Sequence, residues 1–232
     1  MCYFSSMRAP AVLASILATT IQAKPLENIQ WSDYESSVAI KLSKKNLETV
    51  CSGVFIKPHI VLTTAHCLVD LKSAEISNEK VLNWKSHKIK AHHWLIHPEY
   101  KGNLIGESTD VGLIFLEQSI TQKVHFPVLA PSNNLQPFKR IGFGNRFGDN
   151  RRTLVVSDFD QFAGDYIRVR DQYGYPGDSG GPIYQAYENE LKLVGLHTGR
   201  ELSNFGYPLN ISYVQPLFKP EILNWIEKEV KE

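Results

Sequence analysis

Short runs of β-branched and aromatic residues recur along this chain, and turn residues interrupt them every few positions. The runs are Val38–Leu42, Gly53–Ile56, Ile60–Thr63, Lys88–Ile96, Val111–Leu116, Lys139–Gly142, Thr153–Ser157, Tyr166–Val169, Pro182–Tyr184, Leu191–Leu196 and Leu209–Val214. Lys57-Pro58-His59 and Gly148-Asp149-Asn150 are turn signals between such runs. Almost no helical period appears before the end of the chain. This pattern predicts an all-β barrel or sandwich. The 232 residues suit one large domain, or two small units around a shared interface.

One helix closes the chain. In PEILNWIEKEVKE the apolar residues Ile222, Ile226 and Val230 recur every four positions, with Trp225 beside them. Pro220 fits a first helical turn. Glu221 lies at the positive end of the dipole, and Lys228 and Lys231 lie at the negative end. The helix, about residues 220–231, is expected to lie on the β structure. Pro127, Pro131 and Pro137 suit an extended connection, so the boundary between two β units is placed there. The first unit covers about 36–126 and the second about 137–216.

The N-terminus reads as a targeting segment. Arg8 precedes an uncharged, mostly apolar run over residues 9–23, and Lys24 ends it. A bilayer-spanning helix needs about 20 residues, so this run suits a cleaved signal peptide over 1–23. A secreted chain starting near Lys24, with no membrane anchor, is expected. The net charge of +1 gives no bulk field toward nucleic acid or anionic membrane. Cys2 would leave with the leader, and Cys51 and Cys67 would remain. They are either a bridge, which in an oxidising compartment contributes about 3 kcal/mol, or two buried thiols. Their spacing is wrong for a zinc ribbon.

Three segments carry chemistry: Leu62-Thr63-Thr64-Ala65-His66-Cys67, Asp110-Val111-Gly112-Leu113-Ile114-Phe115-Leu116, and Gly177-Asp178-Ser179-Gly180-Gly181-Pro182. Alone, His66 could be a core histidine, Asp110 a cap, and the glycines a turn. Together they offer a nucleophile, a base and an orienting carboxylate. A serine hydroxyl attacks only if an imidazole takes its proton. A carboxylate on the other ring nitrogen fixes the tautomer and stabilises the imidazolium. Glycines beside Ser179 let backbone amides converge on a developing oxyanion.

These segments, in the order His, Asp, Ser, resemble the signatures of the chymotrypsin/trypsin family of serine proteases. Gly53, the stretch Trp94–Tyr100, Gly142-Phe143-Gly144 and the terminal YVQPLFKPEILNWI lie where similar family segments occur, so the resemblance covers nearly the whole mature chain. It implies two antiparallel six-stranded β-barrels with a C-terminal α-helix, and an active site between the barrels. His66, Asp110 and Ser179 would form the triad, and the amides of Gly177 and Ser179 the oxyanion hole. Thr198 matches a serine that helps hold the aspartate. Cys51 and Cys67 match a family disulfide. Asp178 matches a carboxylate that pairs with a freed N-terminal ammonium, which implies a zymogen with Ile29, after Asn28, as the new terminus. Gly112 replaces a larger residue, the second half lacks the usual disulfides, and the gap from Asp110 to Ser179 is short.

The resemblance also frames specificity. Tyr173 occupies the floor position of the primary pocket, where an aspartate would select Lys and Arg, so trypsin-like preference is not expected. Gly195-Leu196-His197-Thr198-Gly199-Arg200 resembles a segment of glutamyl endopeptidases. His197 and Arg200 would then favour an acidic P1 side chain by charge-assisted bonds. An apolar or aromatic P1 preference is the alternative. The substrates are polypeptides. Protein inhibitors are further partners; nucleic acid and membrane are not, and the chain is expected to be a monomer. No metal or organic cofactor is implied.

Rival readings have less support. An α/β-hydrolase needs the order Ser, acid, His and a parallel sheet, and only His197 follows Ser179. An inactive, protease-like binding protein usually lacks a triad residue, and all three are present here. His92, His93 and His97 with Glu99 do not form an H-E-x-x-H helix and read as surface histidines. Asn210-Ile211-Ser212 is a glycosylation sequon inside an expected strand, and we expect it to be unmodified.

Overall fold

The computed structural model describes residues 34–45, 47–77, 88–102, 107–133, 136–145, 152–187 and 190–231. The expected leader, Ile29 and the Gly148-Asp149-Asn150 turn lie outside these residues.

Strands β1 (Ser37–Lys44), β2 (Leu47–Lys57), β3 (Ile60–Thr63), β4 (Leu71–Ser77), β5 (Ile89–Ile96) and β6 (Gly112–Leu116) come first, with a one-turn helix α1 (Ala65–Leu68) after β3. They pair in the order β1-β2-β3-β6-β5-β4, and β4 returns to β1 to close an antiparallel barrel. The connector adds a two-residue strand, β7 (Val128–Leu129). Strands β8 (Phe138–Gly142), β9 (Thr153–Ala163), β10 (Tyr166–Arg170), β11 (Pro182–Tyr187), β12 (Glu190–Leu202) and β13 (Pro208–Pro216) follow. They run β11-β8-β9-β10-β13-β12, and a β11–β12 pairing closes the second antiparallel barrel. Helix α2 (Pro220–Val230) ends the chain. The all-β, two-barrel expectation therefore holds.

Three apolar clusters explain why the strands read as near-continuous hydrophobic runs. Successive side chains of a strand point to opposite faces. On β3, Val61 enters the first barrel, while Ile60 and Leu62 enter the interface between barrels. On β6, Ile114 and Leu113 divide the same way. Phe138, Ile167, Ile183 and Val194 fill the second barrel. The interface cluster adds Ile141, Leu193 and Leu196 from the second barrel, and Ile222 and Ile226 from α2. Full burial of one such side chain contributes about 1.5–3 kcal/mol. Lys57 Nζ donates to the Val230 carbonyl at 2.5 Å, a cation at the negative end of the α2 dipole.

Two strands lie outside the expected runs. In β4 only Ala74 and Ile76 enter the core, too few for a clear alternation. β7 pairs in parallel with β12 through Val128 and Leu129, a partner that local sequence cannot reveal. Strand β12 also extends past Leu196 to Leu202, which puts His197, Thr198 and Arg200 on a strand.

Candidate active site

His66 lies on α1, straight after β3. Asp110 lies two residues before the start of β6, and β3 and β6 are hydrogen-bonded neighbours, so the two residues meet at one end of the first barrel. The Asp110 carboxylate accepts from the His66 amide through Oδ1 at 2.9 Å, and its Oδ2 lies 2.7 Å from His66 Nδ1. A carboxylate only accepts, so Nδ1 is the donor in this bond, which leaves Nε2 as the ring nitrogen that would take a proton from a nucleophile. The His66 side chain is 23% exposed and that of Asp110 7%, so the imidazole is reachable while its carboxylate is shielded. The Asp110 amide donates to Gln215 Oε1 at 2.9 Å, tying the carboxylate's backbone to β13. Tyr166 on β10 donates to the Ser108 carbonyl at 2.7 Å and fixes the same loop from the other barrel. Burial pushes the Tyr166 phenol well above its ordinary range, so it remains a donor.

Ser179 lies in the turn before β11, and Ser52 of β2 holds that turn. The Ser52 amide donates to the Ser179 carbonyl at 2.7 Å. Ser52 Oγ donates to the Gly177 carbonyl at 2.7 Å and accepts from the Phe143 amide at 2.9 Å. Beside Ser52, the Cys51–Cys67 disulfide ties β2 to α1, next to His66. The implied disulfide is thus present, and it joins the strand that grips Ser179 to the turn that carries His66. Gly177 and Gly180 have φ of +102° and +79°, which a side chain would resist. A Cβ on Gly180 would collide with Thr63 Oγ1 and lie 3.1 Å from the Thr64 amide nitrogen, so the Ser179 turn abuts the chain just before His66. Among the described residues, neither the Gly177 nor the Ser179 amide is taken by a protein acceptor.

Asp178 is fully buried, and the described residues give its carboxylate an internal partner. Arg140 Nη1 pairs with Asp178 Oδ2. The Gly144 amide donates to Oδ1 and the Tyr175 amide to Oδ2, each at 2.9 Å. Ile29, the expected new terminus, lies outside the described residues; within them an internal guanidinium already meets the Asp178 carboxylate.

The expected pocket residues divide. Arg200 Nη1 donates to the Gly174 carbonyl at 2.8 Å, and its guanidinium lies 6.0 Å from the Tyr175 ring centre. His197 is buried, and its backbone brackets the turn after Ser179 through bonds with Gly180 and Gly181, each 2.8 Å. Thr198 differs from expectation: its hydroxyl donates to the Tyr213 carbonyl at 3.2 Å, while Gln215 binds the Asp110 backbone. The Tyr173 side chain is 54% exposed and lines a cavity of about 520 Å³ with Val156, Asp158, Arg170 and Ile211. None of the three candidate catalytic residues lines that cavity. His97 corrects the surface reading of the histidines. It is buried against Trp225, with ring centres 4.9 Å apart, and burial lowers its pKa.

Sequence reasoning missed Ser52, Arg140, Asp171 and Gln215. Arg140 leaves little trace, because it stands beside Lys139 in the strand Phe138–Gly142 and nothing local shows which of the two cations has a buried partner. Ser52 leaves only its place beside Cys51.

A family model described as Trypsin matches residues 27–226. The fold is similar to that of HL collagenase, with a TM-score of 0.67, 17% identity, and coverage of 88% of this chain and 96% of the other. It is also similar to a scabies mite inactivated protease paralogue, S-I1, with a TM-score of 0.70, 14% identity, and coverage of 88% and 97%. With two closed barrels, His66 bonded to Asp110, and the Ser179 turn gripped by Ser52, the chain belongs to the trypsin family.

Proposed function

We propose that the chain is a secreted serine endopeptidase with His66 as general base, Asp110 as its orienting carboxylate and Ser179 as nucleophile. The observation that carries this reading is the double hold of Asp110 on His66, through its amide at 2.9 Å and its Nδ1 at 2.7 Å. Ser179 Oγ would attack the scissile carbonyl while His66 Nε2 takes its proton. The oxyanion would receive the amides of Gly177 and Ser179. As the C–N bond breaks, His66 returns the proton to the departing amine. Water then repeats the sequence on the acyl-enzyme. The disulfide and the leader-like N-terminus support a secreted chain.

The same reading extends to specificity. The segments expected to wall the primary pocket lie close together. A Cβ on Gly174 would lie 3.0 Å from Ser212 Oγ and 3.4 Å from Arg200 Cβ. Arg200 offers a cation to an acidic P1 side chain, and a basic P1 side chain would face a like charge.

A second reading, a protease-like protein that binds without cleaving, draws on the inactivated paralogue among the similar folds. Its own candidate triad weighs against that reading in this chain. The test is cleavage of peptides that differ only in Glu, Phe or Lys at P1, with fluorophosphonate labelling of Ser179. Ser179→Ala should lose cleavage by about a thousandfold or more while staying folded. Near wild-type cleavage by Ser179→Ala, with contamination excluded, would refute the triad. Glu at P1 should be preferred, and Arg200→Gln should reduce that preference by about tenfold or more, the value of a charge-assisted bond. Best cleavage after Phe, unchanged in His197→Val, would refute the acidic preference.

A further inference from the structure

Strand β8 places Arg140 and Gly142 on one face, two residues apart, against the loop 171–178. Arg140 is 1% exposed and holds that loop at three points. Its Nη1 pairs with Asp178, its Nη2 lies 2.8 Å from Asp171 Oδ2, and the same Nη2 donates to the Tyr173 carbonyl at 2.8 Å. Asp171 in turn accepts from the Tyr173 amide at 2.8 Å. Gly142 and Gly144 make room for the second carboxylate. A Cβ on Gly142 would lie 2.8 Å from Asp178 Cγ and overlap its Oδ1, and one on Gly144 would lie 2.8 Å from Oδ1. The loop between the two carboxylates runs through Gly174, whose carbonyl anchors Arg200, to Gly177, whose amide is one of the two proposed oxyanion donors.

Burying a guanidinium between two carboxylates is tolerated only where geometry and further hydrogen bonds compensate desolvation. Here the compensation comes from the loop's own Tyr173 and Tyr175 amides and Tyr173 carbonyl, and from the Gly144 amide just after β8. Moving the loop would leave buried charge without those partners. The ion cluster and the shape of the loop are therefore held together.

We propose that Arg140 is a positioning residue that sets the 171–178 loop, and with it the oxyanion amides, without a newly freed amino terminus. The proposal rests on the protease reading only for its catalytic consequence. The loop order it predicts is measurable in a chain that cleaves nothing. Activity would then not wait on a cut at a particular residue ahead of the first barrel. A chain starting at Lys24 and one starting at Ile29 would have the same site.

The test compares those two chains with Arg140→Met and Arg140→Lys by hydrogen exchange of amides 171–178 and by the rate of fluorophosphonate labelling. Both wild-type starts should show equal protection of the loop and equal labelling rates. Arg140→Met should lose protection at 171–178 while that of β1–β6 is retained. Its labelling should slow by about a hundredfold, the scale of a lost oxyanion donor, and its peptide cleavage should show a fall in kcat more than a rise in KM. Arg140→Lys should recover part of both. Protection and labelling that appear only in the chain starting at Ile29 would overturn the proposal, as would an unchanged loop in Arg140→Met. If Arg140→Met does not fold, the comparison of the two starts decides by itself. Equal loop protection without labelling in either start would refute the hydrolase reading and leave the clamp standing.

Discussion

The two barrels hold their shares of the site by different means. The first barrel presents His66 on a single turn that a disulfide fastens to the neighbouring strand. The second presents Ser179 on a turn with no described disulfide, where Arg140, Asp171 and Asp178 are packed together out of water. One fastening is covalent, and in the chain-entropy view it works by restricting the unfolded chain. The other is electrostatic and acts wholly in the folded state, where its charges depend on each other's position. Ser52 joins the two, with its neighbour Cys51 in the disulfide and its own backbone and hydroxyl on the Ser179 turn. A site divided between barrels thus needs one residue that feels both fastenings.

This contrast can be broken from either side. The largest effect should come from the covalent fastening. Replacing Cys51 and Cys67 together by Ala should lower unfolding stability by about 3 kcal/mol, the value for a loop of this length. Denaturant unfolding measures it, and exchange at amides 65–68 should rise while that at 171–178 changes little. Equal loosening of both segments would mean that Ser52 couples the barrels more tightly than the contrast allows.

A smaller effect is expected on the electrostatic side from Gly142→Ala. The added methyl meets the Asp178 carboxylate, and overpacking of this kind costs about 1–3 kcal/mol. The loss should appear as a lower Tm together with faster exchange at 171–178. A stable variant with an unchanged loop would show that the carboxylate has room to move.

The smallest effect concerns pH. Burial holds His97 below its ordinary value of 6.5, so the folded state disfavours its protonated form. The unfolded chain takes up the proton first as pH falls. The stability is therefore fully present above 6.5 and is lost as pH falls through the lowered folded value. His97→Gln keeps a side-chain acceptor for the Glu99 amide and should flatten stability against pH just below 6.5. A slope unchanged from wild type would assign the acid sensitivity to other groups.

Much of this was legible in the sequence because it is local. Strand runs such as Ile60–Thr63 and Val111–Leu116 announce themselves through residue type, and α2 through its apolar stripe. His66, Asp110 and Ser179 were legible because each sits in a motif whose neighbours have their own geometric tasks, such as Gly180 pressing against Thr63. Strand β4 was not, since only two of its side chains enter the core. The partner of Thr198 was not legible either, since its hydroxyl donates to the Tyr213 carbonyl on β13, fifteen residues away.

The sequence by itself determined most of the strand runs and the closing helix, the division into two β units, and the three residues offered for acyl transfer. Those follow from side-chain shape, period and chemical type, which a linear string carries. Only the tertiary structure decided that Asp178 belongs with Arg140, that Ser52 grips the Ser179 turn, and that Gln215 holds the backbone of Asp110. Each is a bond between residues far apart in the chain. Buried charges and polar groups take whichever partner the packed barrels bring within reach, and no spacing along the sequence encodes that choice.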